Sequence, residues 1–278
     1  MEKRIVISHG HIFKNAGSSL DWSLERNFSK NFMDHRDDVP MRRRGGEFLA
    51  EYLNERENVI AISSHHMCFP SLPYSNIKII PLYILRHPIE RIMSVYNFEK
   101  KQDADTPGAI AAKKHTFREY VSWRMEPEVN ITIRDYQCIY LSGFHTRRPE
   151  LGLNRIILDK AIQNLHDSFC VGIVDRYDES MVVFEHHLKK YFPKIDLAYV
   201  RQNITDKSGL EKKEKIDKII HELGDLASTV FDSNAADMLL YNQAVQLLND
   251  KIKAIPEFER KLQGFKQRCQ ILVEECIE

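Results

Sequence analysis

Lys14, Asn15, Ala16, Gly17, Ser18, Ser19 and Leu20 follow His11-Ile12-Phe13, directly after a short apolar run and directly before a helical stripe. That placement makes an anion cradle. Backbone N–H groups in the first turn of a helix have no intrahelical partner, and the helix dipole adds positive potential there. Ala16 and Gly17 permit close backbone approach, Ser18 and Ser19 bring hydroxyl donors, and Lys14 brings a full charge. The dipole contributes about 0.3–1 kcal/mol at an exposed site, against roughly 1.5–3 kcal/mol for each hydrogen bond to a charged group. Convergent donors therefore dominate. Two familiar cradles do not fit. The Walker loop needs a lysine after its last glycine, where this chain has Ser18, and the dinucleotide fingerprint needs three spaced glycines, where only Gly10 and Gly17 are present. Taken by itself, the segment is equally well a tight strand-to-helix turn with a solvated lysine.

A second stretch, Leu85-Arg86-His87-Pro88-Ile89-Glu90-Arg91-Ile92-Met93-Ser94-Val95-Tyr96, ends an apolar run in an arginine and then opens a helix at Pro88. Ile89, Ile92, Met93 and Tyr96 form its apolar stripe, with Arg91 and Ser94 three residues apart and away from it. Arg86 as a two-pronged donor and Ser94 as a hydroxyl suit one phosphate. The bland alternative is a surface salt bridge and a solvated hydroxyl.

The elements that position these residues follow from periodicity. Ile5 to His11, Val59 to Ser63, Ile77 to Leu85 and Phe169 to Ile173 read as strands, and Leu20, Leu24 and Phe28 place a helix from Ser18 or Ser19. A further helix runs from about Tyr177 to Tyr191, before Pro193. Alternating short strands and amphipathic stretches predict an α/β protein, with a central, mostly parallel sheet flanked by helices in three layers. Asn31 to Gly46, which carries Arg42-Arg43-Arg44, shows neither period and is expected to be a loop. From Leu210 onward the chain reads helical. Phe258, Leu262, Phe265, Cys269 and Leu272 form a stripe suited to core packing or to a homodimer through C-terminal helices. We expect one domain over 1–278, with 1–207 an α/β nucleotide-binding core and 208–278 a helical extension packed on it.

Composition narrows the partners. Forty basic residues balance forty acidic ones in 278, so no global field favours nucleic acid or a membrane surface. The five cysteines are odd in number and lack paired metal or redox spacing. They read as thiols of a cytoplasmic protein, and no segment reads as a membrane span.

Together, the His11–Leu20 and Leu85–Tyr96 segments resemble the sulfotransferases, specifically the carbohydrate branch that includes heparan sulfate 2-O-sulfotransferase and its bacterial relatives. That branch has a His-x-Pro-Lys-Thr-Ala/Gly-Gly-Thr-Ser loop for a 5′-phosphosulfate and a Leu-Arg-Asp-Pro-x-x-Arg-x-x-Ser-x-Tyr segment for a 3′-phosphate. Ser63-Ser64-His65-His66-Met67-Cys68-Phe69 is similar to its His-x-x-Phe segment, and Val171 through Ser180 to its Val-Gly-Leu-x-Glu-Arg-Phe-Asp-Glu-Ser stretch. Phe13, Asn15 and His87 depart from the pattern, replacing its proline, threonine and aspartate. Beyond Leu210 the likeness fades.

The resemblance implies a P-loop-like fold and transfer of a sulfuryl group from 3′-phosphoadenosine 5′-phosphosulfate to a hydroxyl, on a saccharide or glycoconjugate, by in-line displacement without a metal. Adenosine 3′,5′-bisphosphate would be the product. Lys14 would neutralise charge on the bridging and 5′-phosphate oxygens, with Asn15 through Leu20 as the cradle and Arg86 and Ser94 at the 3′-phosphate. Arg201 and Lys207 would close a late loop over the nucleotide. His66 fits the family register as the general base, with His65 in reserve, since imidazole suits proton transfer near neutral pH. The alternatives are a kinase with a non-standard phosphate loop and a silent nucleotide-binding protein of the same fold.

Overall fold

A computed structural model describes residues 3–36, 38–67, 76–143, 155–200 and 211–276 of the chain. Its strands are β1 (Arg4–Gly10), β2 (Phe32–His35), β3 (Ala61–Ser64), β4 (Ile77–Leu85) and β5 (Cys170–Ile173). The helices are α1 (Gly17–Phe28), α2 (Asp38–Arg44), α3 (Gly46–Glu55), α4 (Pro88–Lys101), α5 (Pro107–Lys114), α6 (Phe117–Arg124) and α7 (Tyr136–Ser142), then α8 (Arg155–Asp167), α9 (Tyr177–Leu188), α10 (Lys212–Leu223), α11 (Leu226–Asp232), α12 (Ala235–Lys253) and α13 (Phe258–Glu275). The chain divides into two compact units. One draws on Met1–Leu85, Gln163–Gln202 and Gln243–Glu278, the other on Arg86–Ile162 and Asn203–Asn242.

The first unit holds a five-stranded sheet in the order β2-β3-β1-β4-β5, with every pairing parallel. Parallel strands covered on both faces need apolar side chains on both faces. That is why β1, β4 and β5 read as nearly unbroken apolar runs. Pro81 is tolerated inside β4 because pairing with β5 begins only at Leu82. On one face, Val6 of β1 and Ile62 of β3 join Met41, Leu49 and Leu53 of α2 and α3 in an apolar cluster. The other face receives α1, whose Leu20 and Leu24 are fully buried. The result is a three-layer α/β arrangement.

One sequence expectation is corrected. Asn31 to Gly46 is not a loop but contains β2 and α2. As an edge strand pairing only with β3, β2 has no need of a continuous apolar run, and the short α2 buries Met41 while exposing Arg42, Arg43 and Arg44. Neither element is long enough to display a period.

In α13 the apolar stripe is partly buried, with Cys269 and Leu272 half-exposed. Phe258, Leu262 and Phe265 are buried, and the helix packs on α9. Among the described residues no helix is long and apolar enough to cross a membrane.

In the second unit, α4 is buried on more than its apolar stripe. Arg91 is 1% and Ser94 4% exposed, so the side of α4 away from its apolar stripe is buried as well. Arg91 donates from Nη1 to the Thr132 carbonyl at 2.9 Å and stacks over the Tyr136 ring. On the same helix, both oxygens of Glu99 accept from Arg124 Nη2, at 2.6 and 2.7 Å, and Glu99 also accepts from the Tyr120 hydroxyl. Charges this deep are held only when paired and hydrogen-bonded.

Candidate functional site

The cradle runs from the end of β1 into the start of α1. Lys14 and Ala16 take left-handed backbone conformations, with φ of 66° and 59°. For residues with a Cβ these are strained states of order 1–3 kcal/mol each, and they persist only where surrounding contacts impose them. Those contacts are visible. The His11 N–H donates to the Ser64 carbonyl at 3.0 Å, tying the loop to β3, and the buried Asn15 amide donates to the Ile84 carbonyl at 2.8 Å, tying it to β4. Asn15 thus serves as the fastener of the loop. Gly17 has a steric reason as well, since a Cβ there would lie 2.4 Å from the His11 ring. Ser18 and Lys14 remain partly exposed, whereas Ser19 and Leu20 are buried.

Beneath the cradle lies a group that the spacing of the sequence did not reveal. The Asp21 carboxylate accepts from His9 Nδ1 at 2.6 Å through one oxygen and from His11 Nδ1 at 2.7 Å through the other. Ser63 Oγ sits 3.1 Å from His9 Nδ1. Burial alone would raise the Asp21 carboxyl, yet the two imidazoles, by charge and by hydrogen bond, hold it well below the usual carboxylate range. Burial pushes His11 down against the opposing pull of Asp21. His9 and His11 alternate along a strand end, and Asp21 lies on the helix that follows. No short motif marks them; only the fold brings them together.

His65 and His66 follow β3. The His65 Nδ1–H donates to the His11 carbonyl at 2.9 Å, and its Nε2 accepts from Arg36 at 2.7 Å, with Arg36 braced by Asp34. Both nitrogens of this ring are engaged. His66 is 9% exposed, and its backbone N–H meets Ser64 Oγ. Phe69, which sets its register in the resemblance, lies outside the described residues, as do Arg201 and Lys207.

In the second unit, Arg86 is clamped at its backbone, because Gln137 Oε1 accepts its N–H and Gln137 Nε2 donates to its carbonyl, both at 2.9 Å. Gln137 is itself held by Asp237, whose carboxylate also accepts from the Cys138 N–H at 2.7 Å. Ser94 Oγ is buried and has no hydrogen-bond partner among the described residues. A buried hydroxyl without a partner costs about 1–3 kcal/mol, so its retention calls for an explanation.

No family model matches the chain. A protein described as uncharacterized, from Archaeoglobus fulgidus, is 29% identical over 254 residues, covering 89% of this chain and 98% of that protein. The chain is thus similar to that archaeal protein along nearly all of both lengths.

Proposed function

We propose that this chain is a sulfotransferase that moves a sulfuryl group from 3′-phosphoadenosine 5′-phosphosulfate to a hydroxyl, on a carbohydrate acceptor, in the cytoplasm. The observation that carries the reading is Ser94: a buried hydroxyl with no partner among the described residues, at the position the resemblance gives to the 3′-phosphate. A phosphate oxygen would supply the missing acceptor. In support, the cradle follows the C-terminal end of β1 in an all-parallel sheet, where α/β sheets carry their ligands.

In this reading the acceptor oxygen attacks sulfur in line and the adenosine bisphosphate leaves. Lys14 and the N–H groups opening α1 offset the charge on the leaving phosphate, a matter of positioning and electrostatics. His66 takes the acceptor proton, as the register of the resemblance implies, with His65 in reserve. Arg86 binds the 3′-phosphate with Ser94, while Arg201 and Lys207 cover the nucleotide.

Calorimetry with the full chain tests the donor. Adenosine 3′,5′-bisphosphate is expected to bind much more tightly than ATP in the presence of a chelator. Equal affinity, or ATP binding that requires magnesium, would overturn the reading in favour of a kinase.

A further inference from the structure

Asp21 is an ionised carboxylate with 11% of its side chain exposed, and among the described residues its partners are the imidazoles of His9 and His11. A buried carboxylate is costly unless a cation or hydrogen-bond donors answer it. One ring nitrogen from each histidine and one carboxylate oxygen all lie within 4.8 Å of one another.

We propose that His9, His11 and Asp21 bind one divalent transition-metal ion, with zinc the best match. Two imidazoles and one carboxylate form the mixed nitrogen and oxygen set that suits zinc, whereas magnesium and calcium prefer oxygen alone. A tetrahedral ion with bonds of about 2.0–2.1 Å keeps its ligand atoms about 3.3 Å apart. From the present 2.6 and 2.7 Å contacts the carboxylate withdraws by less than about 1 Å, and the ring nitrogens, within 4.8 Å of each other, adjust to the same spacing by side-chain rotation. In the metal-free state it accepts both Nδ1–H groups. On binding, each neutral ring shifts its proton from Nδ1 to Nε2, so no net proton is released. Three protein ligands leave a fourth position, and Ser63 Oγ, 3.1 Å from His9 Nδ1, is placed to bond a water held there or to ligate directly. The side chains of His11 and Asp21, 9% and 11% exposed against 1% for His9, mark the side from which the ion enters.

The metal proposal does not depend on the proposed sulfuryl transfer. The chain, stripped with chelator and dialysed, is titrated with zinc chloride by calorimetry and with cobalt(II) by visible absorption. One ion per chain and a cobalt spectrum of tetrahedral intensity are expected. Asp21→Asn and His9→Gln should each weaken zinc binding by at least about 10–100-fold, the loss that even indirect partners of a metal produce. His221→Gln, on the exposed face of α10, should leave it unchanged. Circular dichroism checks the folding of each variant, and the cobalt spectrum of the parent chain stands independently of them. Absence of stoichiometric binding, lack of a cobalt band, or affinity retained in both cluster variants would overturn the proposal. None of these outcomes touches the bisphosphate titration, which is run on chelated protein.

Discussion

Ser94 separates a ligand-binding role from a structural one at the scale of a single side chain. Were its hydroxyl structural, removing it would cost stability. Because the oxygen is buried and has no partner among the described residues, Ser94→Ala relieves a desolvated group and should leave thermal stability unchanged or slightly raised. Against adenosine 3′,5′-bisphosphate the same variant should lose one hydrogen bond to a charged group, about 1.5–3 kcal/mol, which is roughly a 10- to 150-fold rise in Kd. A drop in melting temperature with unchanged Kd would move Ser94 into the packing of the second unit. Lys14 and Ala16 make a related point. Two non-glycine residues in the left-handed region within three positions are strain that an ordinary turn has no reason to hold, whereas a curled backbone directs its N–H groups toward an anion.

Among the elements, those with long apolar runs were legible and those with divided loyalties were not. β4 was read from Ile77 to Leu85 and forms over those same residues because it lies between β1 and β5. β2 and α2 were missed because an edge strand and a seven-residue helix leave too few buried positions to make a pattern. The segment after β5 stands out by its resemblance, and its physical task is local. Ser180 Oγ accepts the Ile173 N–H at 2.9 Å and Arg176 forks onto Glu179, fixing the turn from β5 into α9. The cradle segment was legible as a strand-to-helix turn. His9, His11 and Asp21 were not, because a contact formed between a strand end and a helix face leaves no local signature. Helix α5 offers a test of packing. A Cβ on Gly108 would sit 2.3 Å from Arg124 Nη2 and 2.4 Å from Glu99 Oε1, so Gly108→Ala must displace the buried Glu99–Arg124 pair or lift α5 from α4. Urea unfolding should show a loss of about 1–3 kcal/mol, the usual cost of overpacking, despite the better helix propensity of alanine. A neutral or stabilising result would mean that the pair yields easily.

Across the whole molecule, two sets of buried carboxylates give stability opposite dependences on pH. Asp21 is held well below its ordinary pKa, so its contribution is complete above the unfolded value of about 3.9 and disappears as pH falls beneath it. The Asp135 and Asp237 pair behaves in the reverse sense. Burial raises both, and for Asp135 the nearby Asp237 charge adds to the effect, carrying it up to about 7. The folded pair therefore keeps a proton that the unfolded chain has already released. Where the folded state binds more protons than the unfolded one, stability falls as pH rises. For this pair that window runs from about 4 to about 7, and above it the loss is complete. His187, lowered to about 4 chiefly by burial, acts in the opposite direction over part of the same range, so the parent curve alone does not isolate the pair. Asp135→Asn does. The amide oxygen still accepts the Asp237 N–H that Asp135 Oδ1 receives at 2.8 Å, but it carries no titrating charge. The difference in urea midpoint between variant and parent should widen in favour of the variant from pH 4.5 to pH 7 and then level off. A difference that stays constant across that range would show that Asp135 and Asp237 ionise normally in the fold, and that the contacts around Asp237 neutralise the repulsion between them.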